Sequence, residues 1–118
     1  MSVRLVYLCG PMRGHPLFNF PAFTDAAAAL RAAGYEVLSP HERDLALGFD
    51  PARPIEEQGF DLVDALRWDV AAVLRADATV VLPGWETSRG ARAEVAVAKA
   101  ADKPVLSLAA ALTEWGVA

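Results

Sequence analysis

Two acidic residues fall where helical periodicity calls for apolar ones. Over residues 90–101 (GARAEVAVAKAA), with roughly 100° between neighbours, Arg92 and Lys99 mark a wet side, and Glu94 lies roughly 150° away among Ala91, Ala98 and Ala101. A carboxylate turned into an apolar face is costly unless it is paired or used. Its position one turn into a helix that follows a strand makes Glu94 a site candidate; the plain alternative is a solvated carboxylate at a cleft mouth. Asp69 flanks the stripe of the preceding helix, with Leu62, Ala65, Val73 and Ala76 as neighbours, whereas Asp61 and Asp64 fall outside it. Alone, Asp69 reads equally well as a structural aspartate bonded to a loop amide. Together, two inward carboxylates in different surroundings can separate in pKa and divide the roles of acid and nucleophile.

Other residues could support such a pair. Tyr7, near the end of the first strand, could hold a carboxylate through its phenol, or be a plain core tyrosine. The loop CGPMRG (9–14) lacks both the GxGxxG spacing and the Lys-Ser/Thr of a P-loop, yet its amides, Arg13 and Ser88 could cradle one anionic group. Arg89 is a second guanidinium beside a glycine that could hold a phosphate. Phe18, Phe20 and Phe23 read as core, with Phe18 the one that could line a base-stacking wall. His15 and His41 lack HxxxH or CxxC partners, so no metal site is expected. Cys9 reads as a small buried hydrophobe.

Alternating strands and helices must position these residues. Val3–Cys9, Tyr35–Leu38, Ala78–Gly84 and Pro104–Leu108 read as strands. The first helix starts at an Asn19 cap with Pro21 in its first turn and stops at Gly34; a second follows Pro54 through Val63, Leu66, Val70, Val73 and Leu74; the third, Gly90–Ala101, is capped by Thr87 or Ser88; a short helix closes the chain. Residues 39–54 read as a loop. The expectation is an α/β, Rossmann-like or flavodoxin-like three-layer sandwich with a parallel sheet of four or five strands and right-handed crossovers. Ligands of such sheets bind beyond the carboxyl ends of the strands, here loops 10–18, 39–54 and 83–90.

Composition narrows the function. The 118 residues fit one domain over 1–118, and 24 alanines account for an apolar share of 54%. Charges interrupt every apolar run before the ~18 residues of a spanning helix, and MSVRLVYLCG does not resemble a signal peptide, so no membrane and a cytoplasmic location are expected. A net charge of −4 with scattered basic residues argues against duplex nucleic acid and for a small-molecule ligand.

The segments YLCGPMRG (7–14), FNFPAF (18–23), RWDV around Asp69, ADATVVL (76–82) and PGWETSRGARAE (83–94) together resemble the nucleoside 2-deoxyribosyltransferase-like superfamily, especially a small bacterial and phage branch. The resemblance implies a compact Rossmann-like fold without a cofactor and cleavage or exchange of the N-glycosidic bond of a nucleoside or (deoxy)nucleoside 5′-monophosphate. It implies Glu94 as nucleophile at C1′, Asp69 in proton transfer and sugar positioning, and Tyr7 orienting Glu94. It further implies a substrate-binding set of Gly10, Pro11, Met12, Arg13, Gly14, Phe18, Ser88 and Gly90, with Gly10, Arg13, Gly14 and Ser88 at the phosphate. Pro11 and Met12 depart from the hydrolases' pattern, which places a backbone donor and a small hydroxyl residue there. A homodimer or higher homo-oligomer is implied too, with Trp115 in the tail a candidate for packing across the interface. The other readings are a binding module of the same fold for a nucleotide-derived ligand, without turnover, and an accessory protein acting through protein contacts alone.

Overall fold

The computed structural model describes residues 3–113, so Trp115 lies outside the described residues. Four parallel strands, β1 (Leu5–Cys9), β2 (Glu36–Leu38), β3 (Ala78–Val81) and β4 (Val105–Ser107), pair in the order β2-β1-β3-β4. Helices α1 (Phe20–Ala32), α2 (Pro40–Ala46), α3 (Leu62–Arg75), α4 (Arg89–Ala100) and α5 (Leu108–Thr113) complete the three-layer α/β architecture.

The strand residues sort by alternation. Val6 and Leu8 join Val80 and Leu106 under α1 and α5, with Phe23, Ala26, Ala27 and Leu30 supplied by α1. Tyr7, Cys9 and Val81 face the other way, against Ala72 and Val73 of α3, Ala76 just past its end, and Ala91, Val95 and Ala98 of α4. A strand covered on both faces must be apolar at every position, which explains the unbroken LVYLC run. Asp77 fixes the α3–β3 junction by accepting from the backbone N–H of Arg4 and Leu5, each at 2.9 Å.

The chain leaves β1 on one side to make β2 and crosses to its other side for β3, so the order switches between the carboxyl ends of β1 and β3. The loops after these two strands flank the resulting crevice.

Local structure departs from the sequence expectation in several places. Residues 39–54 contain α2: Pro40 occupies its first turn and the buried His41 and Asp44 form its inner face, a two-turn pattern too short to show a period. Between Pro54 and α3 lies only a short 3-10 turn, Ile55–Glu57, because Asp61 caps α3 by accepting from the backbone N–H of Asp64 at 3.0 Å. Asn19 makes no side-chain cap: Leu17, Phe18 and Asn19 all adopt left-handed backbone, at φ 52°, 52° and 61°, and the Asn19 amide donates to the Pro11 carbonyl at 2.9 Å. Ser88, not Thr87, caps α4, which starts one residue before Gly90. Thr87 instead donates to the Gly84 carbonyl.

Candidate active site

The packing stripe of α3 runs through Ala65, Asp69, Ala72, Val73 and Ala76, so Asp69 sits within the stripe rather than beside it. Leu62, Val63 and Leu74, expected to pack inward, are 49%, 57% and 48% exposed. The alanines reconcile these facts. Small side chains bring α3 close to α4, so the buried strip is narrow and the larger apolar residues lie outside it. On α4 the inner face is Ala91, Glu94, Val95 and Ala98; Ala101, expected beside Glu94, is exposed beyond the helix end. Glu94 itself is only 7% exposed.

The two helices bring Asp69 and Glu94 to the wall of one cavity of about 550 Å³, over the carboxyl ends of β1 and β3. Tyr7, fully buried in β1, donates its hydroxyl hydrogen to Glu94 Oε1 at 2.9 Å. The other oxygen, Oε2, faces Gly90, where an added Cβ would lie 3.9 Å away. The Cys9 thiol, buried beside them, donates to the Ala91 carbonyl at 3.6 Å. Burial, with the nearby carboxylates, pushes both the phenol and the thiol up, so both stay protonated donors.

The carboxyl pair is electrostatically uneven. Desolvation raises Glu94, while the hydrogen bond from Tyr7, with the neighbouring Cys9 and Asp69 groups, opposes the rise by favouring its charged form. Asp69 is pushed up to about 8, first by burial and then by the charges of Glu94 and Asp44. Of the two, Asp69 is therefore the carboxyl whose protonated form is favoured, and Glu94, with the Tyr7 hydrogen bond, the one whose charged form is supported.

The remaining candidates divide by element. Gly10, Pro11, Met12 and Arg13 of the first loop and Ser88 and Gly90 at the start of α4 line the cavity, as do His15, Thr87 and Arg89. Phe18 also lines it, on the left-handed turn. Gly14, at φ +83°, is exposed and does not line it. Gly10 is required by packing, since a Cβ there would meet Leu82 Cβ at 2.8 Å. The Ser88 oxygen accepts from the Ala91 N–H at 3.2 Å, leaving its hydroxyl hydrogen free for a ligand. Pro11, as expected, adds no N–H donor.

Sequence reasoning missed Asp44, Phe49 and Phe60, which line the same cavity from α2 and the segment before α3. Phe20, read as core, lines it too. Phe49 contacts Phe18, Phe60 and Phe20 at ring-centroid distances of 5.3, 5.7 and 5.8 Å. The length of 39–54 marked that segment as a ligand loop without singling out Asp44 or Phe49, and no signal pointed to Phe60. Among the described residues, no three or more His, Cys, Asp or Glu side chains are grouped to hold a metal ion, and no helix is long and apolar enough to cross a membrane.

A parallel sheet switched at β1/β3, with an acid from each of the two helices of one face on the cavity beside it, defines the class: the fold is that of the 2-deoxyribosyltransferase-like proteins. The chain belongs to the family described as Domain of unknown function (DUF4406), which matches residues 4–107. The solution structure of BlsM is similar at 25% identity and a TM-score of 0.66, over 90% of this chain and 64% of BlsM, so the chain spans less than two thirds of that relative. A 2-deoxyribosyltransferase from the psychrotolerant bacterium Bacillus psychrosaccharolyticus is similar at 22% identity and a TM-score of 0.64, over 87% of this chain and 70% of that one. The Clostridium botulinum CMP N-glycosidase BcmB is similar at 16% identity and a TM-score of 0.57, over 96% and 83%. No curated protein matches the sequence significantly.

Proposed function

We propose that this protein cleaves or transfers at the N-glycosidic bond of a nucleoside or (deoxy)nucleoside 5′-monophosphate, with Glu94 as nucleophile. The observation that carries the reading is the buried Glu94 carboxylate, held through Oε1 by Tyr7 and sharing a cavity wall with Asp69, whose carboxyl burial pushes up. Oε2 attacks C1′ of the sugar as the bond to the base breaks, and the Asp69 carboxyl gives its proton to the leaving base nitrogen. Glu94 stabilises the oxocarbenium-like sugar and closes on it as a glycosyl ester. Water, or a second base, then attacks C1′ and surrenders a proton to the Asp69 carboxylate, which restores the pair. Arg13, Arg89, the Ser88 hydroxyl and the start of α4 offer a cationic, donor-rich end for a 5′-phosphate.

The fold shared with a deoxyribosyltransferase and an N-glycosidase supports this reading. Leu62 and Val63, exposed at the start of α3, and Leu74, exposed at its end, support association of copies of the chain, which light scattering would measure. Incubation with a nucleotide and nucleoside panel, with free base followed by chromatography, tests the activity. Base release or exchange that vanishes in Glu94→Gln is expected, and a second free base separates transfer from hydrolysis. Bound ligand without turnover, in wild type and variant alike, would overturn the enzyme in favour of a binding module.

A further inference from the structure

Asp44 is a third acid of the cavity, and the mechanism above does not use it. It is 8% exposed, on the inner face of α2, and among the described residues nothing hydrogen-bonds its carboxylate. Its sequence neighbour Arg43 acts on it only through its charge, the guanidinium being paired with Asp64 and lying over the Trp68 ring at 5.9 Å. Its carboxyl oxygens open on the cavity rather than being sealed in the core, and an ionised carboxylate can only accept hydrogen bonds, so the group it would meet there is a donor. The aromatic cluster of Phe18, Phe49 and Phe60 stands on the same cavity and suits a flat heterocycle, whereas the donors and cations of the first loop and the start of α4 suit a phosphate.

We propose that Asp44 selects the heterocycle, its carboxylate accepting a hydrogen bond from the exocyclic amino group of a base packed against Phe49 and Phe60. This rests on the reading of the cavity as a nucleoside or nucleotide site. The preferred substrates are then amino-bearing bases. Replacing the amino group by a keto oxygen sets an acceptor against a carboxylate and leaves both unpaired.

The test measures dissociation constants by calorimetry at pH 8 for two monophosphate pairs that differ only in this group, cytidine against uridine and adenosine against inosine. Asp44, raised to about 6 by burial, is ionised at that pH. Wild type binds the amino member of at least one pair about 10–100-fold more tightly. Asp44→Asn, which can turn an amide N–H₂ toward a keto oxygen, reduces or reverses that ratio. The wild-type panel decides the matter even if the variant does not fold: equal binding within each pair, or no binding at all, overturns the proposal. So does a variant that weakens both members equally. Base release is followed in parallel. Amino selectivity without turnover would uphold Asp44 while the N-glycosidic reading fails, and turnover without selectivity would do the reverse.

Discussion

Removing a single oxygen, in Tyr7→Phe, separates a working hydrogen bond from a core tyrosine. The hydroxyl is fully buried and donates to Glu94 Oε1 at 2.9 Å; a hydrogen bond to a charged group contributes about 1.5–3 kcal/mol. That bond favours ionised Glu94 and opposes the rise caused by burial, so its loss lets the Glu94 pKa climb by about 1–2 pH units, at 1.36 kcal/mol per unit. As the proposed nucleophile, Glu94 must be ionised. The acid limb of kcat/KM for base release therefore moves to higher pH by about 1–2 units, with a loss of about 10–100-fold on that limb and a smaller one near pH 8. The ring keeps its packing against α3 and α4, so the stability cost stays near that of the bond, a drop of about 5–10 °C in Tm. Rate profiles from pH 5 to 9 with matched melting curves measure both. An acid limb within about 0.3 units of wild type, despite the lowered Tm, would refute the reasoning and leave Tyr7 as packing.

Three further outcomes are expected. Asp69 is raised to about 8 from 3.8, so the native state keeps a proton that the unfolded chain releases, and its contribution to stability is lost as pH rises through that window. Asp69→Asn therefore has a higher Tm than wild type at pH 8, with the gap closing by pH 4, while base release falls about 10²–10⁴-fold; an unchanged gap across pH contradicts the assignment. Gly10→Ala forces a Cβ to 2.8 Å from Leu82 and costs about 1–3 kcal/mol in denaturant unfolding. Arg13→Ala raises KM about tenfold for 5′-monophosphates and leaves nucleosides unchanged in steady-state kinetics, since its guanidinium is exposed at the cavity rim.

Glu94 was legible because an acid among Ala91, Val95 and Ala98 breaks a helical period that the chain displays by itself, and a strand such as LVYLC is buried on both faces whatever surrounds it. Asp69 was half legible: the wheel placed it beside the stripe, because Leu62, Val63 and Leu74 outweighed the alanines, and only the close approach of α3 to α4 made the alanine strip the buried one. Asp44, Phe49 and Phe60 were not legible. Their segment carries no period, and the cavity they line exists only where α2 and the residues before α3 meet loops more than twenty positions away. Local pattern decides which way a side chain leaves its own helix or strand. The pairing of Glu94 with Tyr7 across 87 residues, the mutual influence of the Glu94 and Asp69 charges and the unbonded carboxylate of Asp44 depend on distances that close only when the sheet order β2-β1-β3-β4 is assembled.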